Sequence, residues 1–355
     1  MSRVRLLASG VASDVLARLA PPGCADVGLL PEWEPDGKRG LRLALPLSPA
    51  FLEGADQLVP SLSSTVTADY AFQFALRGRA GGETTPWTRL TRIGSAPDAD
   101  SPAGTAAAGP SAAAAGAQAS PTGAAAAIGT DVDTFLLRAP LSDAELEVRA
   151  WTVDPVAFRR APCLLAVSAA GAPAPPPVRA GLADVGPVPV PALSQMVEAE
   201  AIRNRICSPT SVAMVLGSLG VPATAAETAA AAHCAEHDRY GVWPANVWAA
   251  SRRGALGYVA ALDSWECARE LLARGLPLVV SEAHAPGALP GSPLPETDGH
   301  LLVLRGLRAG RVLVNEPAAP SADAVPMEYD LEAFGRAWLG HGGIAYVLVA
   351  PEGRP

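Results

Sequence analysis

A proline-rich stretch divides this sequence into two halves with different patterns, and it constrains the fold more than any other feature. Residues 172–177 read Ala-Pro-Ala-Pro-Pro-Pro, a run that favours an extended polyproline conformation and behaves as a spacer. We therefore predict a domain over residues 1–171, a linker over residues 172–187 and a second domain over residues 188–355. A chain of 355 residues is long enough for two hydrophobic cores.

The first domain has the pattern of an all-β structure. Short alternating or β-branched runs recur along it, at 41–47, 66–76, 87–93, 132–138, 146–153 and 164–167. This spacing predicts a β-sandwich. A tract of alanine, glycine, serine and proline near residues 96–128 buries too little surface to order itself, so we expect a flexible loop there. Trp33, Trp87 and Trp151 are predicted to lie in the sandwich core, and a polymer-binding surface is the alternative.

The second domain begins with helices and ends with strands. Thr224 and Glu227 form the pattern of a capping box that opens a helix reaching about residue 235. Further helices are predicted from Cys207, over 244–253 and after Asp263, and strands over 278–281, 300–307, 311–315 and 344–349. Helices that precede a sheet of neighbouring strands are typical of the α+β class.

Composition excludes several classes of protein. The net charge of −8 disfavours nucleic acid or an anionic membrane as a partner, because both need a basic face. Five cysteines without paired spacing argue against a disulfide framework and favour a reducing compartment. The sequence contains no run of 18 apolar residues, so we predict no transmembrane helix. The N-terminus is a poor secretion signal. We expect a cytoplasmic protein, or a secreted or cell-envelope protein if the start codon is misplaced.

Cys207 is the best candidate for a nucleophile. It stands at the first turn of a predicted helix with an apolar face. Ser208 can cap this helix, and Pro209 is well suited to its first turn. Free backbone N–H groups and the helix dipole stabilise a thiolate at this end, so we predict that the pKa of Cys207 lies below its ordinary value. A small buried apolar residue is the alternative, since free cysteine is among the most buried residue types.

A thiolate nucleophile needs a base, and the base needs a third group that fixes its tautomer. His300 heads an apolar strand, where its imidazole can face a cleft. Asn315 and Glu316 end the paired strand at the same end of the hairpin, and either can accept a hydrogen bond from the imidazole. Gln195 precedes the helix of Cys207 and supplies an amide suited to stabilising an oxyanion.

Five motifs follow one another along the second domain: Pro191-x-x-Ser194-Gln195, Cys207-Ser208-Pro209-Thr210-Ser211, Trp243-Pro244-Ala245-Asn246, Gly299-His300-Leu301-Leu302-Val303 and Val314-Asn315-Glu316-Pro317-Ala318. In this order they resemble the bacteriocin-leader-processing peptidase-like family of papain-fold cysteine peptidases. The resemblance covers about residues 188–350. It implies a papain-like α+β domain, as in stand-alone bacterial relatives with a β-rich N-terminal region. It also implies hydrolysis of a peptide or isopeptide bond in a peptide or protein substrate, with no cofactor and no metal.

The resemblance also assigns roles by position. Gln195 would form the oxyanion hole, Cys207 would attack, His300 would be the base, and Glu316 would orient His300. The family has aspartate where this chain has glutamate, so the longer side chain must fold back or Asn315 must serve instead. We favour Glu316.

Two alternatives remain at this point. Residues His233, Glu236 and His237 match the His-x-x-Glu-His pattern of inverted zincins, in which two histidines bind zinc, so a zinc metallopeptidase is one alternative. A peptidase-like binding protein that has lost turnover is the other. The motifs do not decide the substrate, the choice between hydrolysis and acyl transfer, or the oligomeric state.

Overall fold

The computed structural model describes residues 3–21, 23, 25–95, 123–171 and 182–350. Most of the predicted loop near 96–128 and of the predicted linker therefore lies outside the described residues, as does Cys24. The end of the predicted loop is already structured, because a 3₁₀ helix covers Gly123–Ala126 and a strand begins at Ile128. The end of the predicted linker is also structured, since Val185 forms an antiparallel bridge with Leu307.

The described residues of the first half of the chain form two sheets and three short helices. Its strands are β1 (Arg3–Ser9), β2 (Ala25–Leu29), β3 (Glu34–Asp36), β4 (Gly40–Leu47), β5 (Gln57–Ser64), β6 (Tyr70–Ala80), β7 (Glu83–Thr84), β8 (Thr88–Arg89), β9 (Ile93–Gly94), β10 (Ile128–Asp131), β11 (Thr134–Leu137), β12 (Asp143–Thr152) and β13 (Cys163–Ala170). Its helices are α1 (Ser13–Leu19), α2 (Pro49–Leu52) and α3 (Pro155–Arg160).

The two sheets share one hydrophobic core. The first sheet has the order β10-β11-β5-β13-β1-β2, and the second runs β3-β4-β12-β6-β7, with β8 and β9 also paired to β6. Alternating leucines of β4, among them Leu43 and Leu45, face Leu165 and Val167 of β13 in this core. The period of two in the sequence thus places every second side chain between the sheets.

The second half contains a helical part and a third sheet. Its elements are α4 (Cys207–Ser218), α5 (Ala225–Ala232), α6 (Trp243–Ser251), β14 (Leu256–Ala261), α7 (Trp265–Ala273), β15 (Leu278–His284), β16 (Thr297–Arg308), β17 (Arg311–Asn315), β18 (Pro326–Asp330), α8 (Leu331–Trp338) and β19 (Ile344–Val349). The third sheet has the order β14-β19-β15-β16-β17-β18, and all its pairs are antiparallel. This arrangement agrees with the predicted α+β order.

The first sheet packs against the edge strand β14 of the third sheet, and serine side chains join the two sheets there. This strand is an edge of the third sheet, so one row of its backbone groups faces outward. Ser63 Oγ donates to Gly257 O at 2.7 Å and accepts from Gly257 N at 3.1 Å. Ser61 Oγ accepts from Val259 N at 2.9 Å, and Ser168 Oγ donates to Val259 O at 2.9 Å. The first half of the chain therefore covers the exposed edge of the third sheet.

Several predicted details are confirmed and others are wrong. The capping box of Thr224 and Glu227 is present, but α5 ends at Ala232 and not near residue 235. Ser208 lies inside α4 and not at its cap, because the residue before the helix is Ile206. Its hydroxyl instead hydrogen-bonds Tyr346 Oη at 3.0 Å.

The tryptophan prediction holds for one residue of three. Trp33 is buried in the core between the first two sheets. Trp87 and Trp151 are half-buried, and an arginine guanidinium covers each ring at 4.5 Å, Arg77 in the first case and Arg92 in the second. Cation–π contact thus replaces core packing at these two positions.

Candidate active site

Cys207 is the first residue of α4, so the helix begins at the candidate nucleophile. Burial raises the pKa of its thiol, but a hydrogen bond with His300 and the charge of that imidazole lower it. The backbone N–H groups of Ser208 and Leu301 also bond the sulfur and lower the pKa further. The net result is a pKa below the ordinary value for cysteine, as expected for a thiol at a helix N-terminus beside a cation.

His300 lies in β16 and contacts both the thiol and a carboxylate. Its Nε2 is 2.6 Å from Glu316 Oε1, and the imidazole is almost fully buried. Because Nε2 faces the carboxylate, Nδ1 is the ring nitrogen left for Cys207. Burial lowers the pKa of His300, yet the charge of Glu316 and the bond with Cys207 raise it well above its ordinary value. This pair therefore favours an imidazolium beside a thiolate.

Glu316 follows β17 directly, and its carboxylate is held on three sides. Oε1 also accepts from Ala318 N at 2.9 Å, and Oε2 accepts from Tyr329 Oη at 3.2 Å. Burial raises the pKa of Glu316, but the charge and hydrogen bond of His300 hold it below its usual range. The three donors keep a fully buried carboxylate ionised and fixed in direction.

Asn315 points away from His300. Its Nδ2 donates to Val190 O at 3.2 Å and to Pro191 O at 3.1 Å. The structure therefore brings Glu316, and not Asn315, to the imidazole.

Gln195 lies in a 3₁₀ helix, Gln195–Val197, on the segment that Asn315 holds. Its backbone N donates to Pro317 O at 2.8 Å, and the hydroxyl of Ser194 donates to Ala319 O. Gln195 is 4% exposed, and its Oε1 has no hydrogen-bond partner among the described residues. The glutamine segment is thus fastened to the same loop that carries Glu316.

A cavity of about 600 Å³ opens over Cys207. One side is formed by the starts of α4 and α6, and another by Gly299, Leu301 and His341. The remaining side belongs to the hairpin of β10 and β11 in the first half of the chain. A cleft of this volume can hold a few residues of an extended peptide.

Glu282 and His284 belong to the same buried cluster, and Glu282 was not among the site residues predicted from the sequence. Glu282 lies opposite His300 in the pairing of β15 with β16, and it is fully buried. Neither of its carboxyl oxygens has a hydrogen-bond partner among the described residues. Its Oε1 is 3.9 Å from His284 Nε2. A glutamate that follows the apolar run of residues 278–280 in the same strand was the signal that could have found it.

Glycine- and proline-rich turns beside His284 and His341 favour surface loops for both histidines. This expectation is wrong for His284, which is buried at the end of β15. It holds for His341, which is exposed in a 3₁₀ turn at the edge of the cavity.

The residues of the predicted zinc-binding pattern do not form a common site in the structure. His233 follows the end of α5 and bonds Asp238, with Nε2 2.9 Å from Oδ1, and its ring stacks on Tyr240. Glu236 instead contacts the hydroxyl of Thr91. In the described parts of the chain, no three histidine, cysteine, aspartate or glutamate side chains are grouped as metal ligands would be.

Residues 188–346 match the model of the Peptidase_C39 like family. This part of the chain belongs to that family. The resemblance inferred from the five motifs is therefore confirmed, and the family indicates a peptidase with an α+β fold. A peptidase of this family acts on a peptide or protein.

Among solved structures, the chain is similar to a crystal structure described as a C39-like peptidase from Bacillus anthracis. The match covers 98% of that chain and 47% of this one, at 19% identity and a TM-score of 0.37. No curated protein matches the chain. In the described residues, no helix is both long and apolar enough to span a membrane.

Proposed function

We propose that this protein is a cysteine peptidase that cleaves a peptide or isopeptide bond through an acyl-enzyme on Cys207. The observation that carries the proposal is the continuous contact from Cys207 to His300 to Glu316, with 2.6 Å between His300 Nε2 and Glu316 Oε1. Membership of residues 188–346 in a peptidase family supports it.

The chemistry follows from these contacts. The thiolate of Cys207 attacks the scissile carbonyl carbon, and the oxyanion is stabilised by the Cys207 backbone N–H and the Gln195 amide. The imidazolium of His300 gives its proton to the departing amine. A water then attacks the thioester, His300 accepts its proton, and the thiolate leaves as the acid product is released. Glu316 keeps Nδ1 of His300 directed at the sulfur throughout.

We also propose that the first two sheets form a β-sandwich, because their facing side chains build one core. The proline-rich stretch would then divide the chain into domains over residues 1–171 and 188–355, with a linker over residues 172–187. Val185, near the end of this linker, pairs with β16.

The first experiment measures alkylation of Cys207 by iodoacetamide near neutral pH, with the labelled cysteine identified by mass spectrometry. We expect stoichiometric labelling of Cys207 in the wild type, because its thiol is ionised by His300. His300→Ala should slow the reaction strongly. His341→Ala is the matched control, since this exposed histidine lines the same cavity, and it should change the rate little.

Hydrolysis is then tested with a peptide library, comparing the wild type with Cys207→Ser. An unreactive Cys207, or equal alkylation in the wild type and in His300→Ala, would overturn the proposal. A reactive Cys207 without turnover of any peptide would instead favour the binding-protein alternative.

A further inference from the structure

The hairpin of β10 and β11 lies beside the candidate nucleophile although it belongs to the first half of the chain. Its four strand pairs run from Ile128 with Leu137 to Asp131 with Thr134, so Val132 and Asp133 form a two-residue turn. Both turn residues line the cavity that contains Cys207. The first half of the chain therefore contributes directly to the proposed substrate cleft.

The alternation of β11 separates its two faces. Phe135 and Leu137 point into the core between the first two sheets, where both are buried. Thr134 and Leu136 lie on the opposite face and line the cavity, and Leu136 is only half-buried. One strand thus fastens the hairpin to the first half of the chain and presents side chains to the cleft.

A partly buried hydrogen bond fixes the tip of the hairpin to the C39-like part. Asp133 Oδ2 accepts from the backbone N of Trp243 at 2.7 Å, at the start of α6. The residue before this helix is Val242, whose side chain cannot accept a hydrogen bond. Asp133 therefore does for α6 what an N-cap residue normally does, but from a distant part of the chain. The position of the hairpin over the cleft is consequently set by α6.

Aliphatic side chains form part of the cavity lining, among polar ones. Val132 and Leu136 are half-buried on the hairpin, and Leu301 and Ile344 line the cavity from the third sheet. Half-buried aliphatic groups in a cleft gain free energy when a substrate side chain covers them. We propose that the β10–β11 hairpin is the substrate-selecting wall of this cleft, and that it favours an extended peptide with an aliphatic side chain beside the scissile bond. The inference rests on the proposed peptidase function.

The test compares two peptidyl vinyl sulfones that differ only in having leucine or alanine beside the reactive group, and iodoacetamide as a small probe. For the wild type we expect the leucine probe to label Cys207 about tenfold faster than the alanine probe, within the range that hydrophobic pockets achieve. Leu136→Trp narrows the cleft, so it should slow the leucine probe about tenfold while the iodoacetamide rate stays within about twofold.

Val132→Ser replaces the aliphatic side chain by a smaller polar one and is the second variant. It should reduce the preference for the leucine probe without changing the iodoacetamide rate. Val153→Ser is the matched control, since Val153 is 49% exposed and lies outside this cavity. It should leave the preference unchanged.

The outcomes separate the two proposals. If Cys207 of the wild type reacts with iodoacetamide and with the peptidyl probes, but both hairpin variants keep the wild-type preference, the hairpin inference is overturned and the peptidase proposal stands. If Cys207 of the wild type reacts with no probe, the peptidase proposal fails and the hairpin inference fails with it.

Discussion

Replacing Glu282 by glutamine should stabilise the protein at neutral and alkaline pH. Glu282 is fully buried, and neither carboxyl oxygen has a hydrogen-bond partner among the described residues. Burial raises its pKa, the charge of His300 lowers it and that of Glu316 raises it, and the resulting pKa is about 7 instead of the ordinary 4.5. Ionising this carboxyl in place is therefore unfavourable.

The magnitude follows from the difference between the two pKa values. The folded protein holds the proton of Glu282 up to about pH 7, whereas the unfolded chain releases it near 4.5. Between these values the folded state binds more protons, so the free energy of unfolding falls as the pH rises. At 1.36 kcal/mol for each pKa unit, the loss reaches ~3 kcal/mol by pH 8. Glutamine does not titrate, so Glu282→Gln escapes this loss.

Urea unfolding at pH 5 and at pH 8 measures the effect. We expect the stability difference between Glu282→Gln and the wild type to change in favour of the variant by ~2 to 3 kcal/mol from pH 5 to pH 8, because part of the loss is already present at pH 5. Glu200→Gln is the control, because the Glu200 side chain is 88% exposed, and its difference should stay within about 0.5 kcal/mol at both values. A difference for Glu282→Gln that is independent of pH would refute the reasoning.

Three further predictions concern other contacts. Glu316→Gln removes the charge that raises the pKa of His300, so peptide hydrolysis should fall roughly 10²- to 10⁴-fold and the alkylation of Cys207 should require a higher pH; an unchanged pH profile of alkylation contradicts this. Asn315→Ala frees the segment of Gln195, so kcat should fall ~10²-fold while the rate of alkylation stays near that of the wild type. Ser63→Ala leaves backbone groups of β14 unpaired and should lower the free energy of unfolding by about 1–3 kcal/mol in urea titrations; a neutral effect would show that the serine contacts do not hold the sheets together.

The start of α4 and the hairpin of β16 and β17 could be predicted from the sequence because their signals are local. The apolar period after Cys207 and the turn at Ala309 and Gly310 depend only on neighbouring residues. The proximity of Cys207, His300 and Glu316 could be expected from the order of the motifs. Their distances and hydrogen bonds could not.

Contacts between distant parts of the chain could not be predicted. The strand β14, with the sequence Leu-Gly-Tyr-Val-Ala-Ala, has no alternation because both its faces are buried, and β1 was not predicted either. The serines that cover β14 lie 91 to 198 residues earlier in the chain, in strands whose own pattern predicts only that one face is buried. For the same reason the sequence around Asp133 does not predict its hydrogen bond to the backbone N of Trp243 at the start of α6.

The choice between Glu316 and Asn315 shows how backbone geometry resolves what residue types leave open. Neighbouring residues at the end of a strand point to opposite faces of the sheet, so only one of the two can reach His300. Asn315 faces the glutamine segment, and Glu316 faces the imidazole. The extra methylene of glutamate is accommodated because the side chain folds back over its own turn, where Oε1 also accepts from Ala318 N. The shorter side chain of Glu316→Asp should therefore lose either the bond to Ala318 N or the bond to His300. Slower alkylation of Cys207 in this variant would show that the turn requires the longer side chain of glutamate.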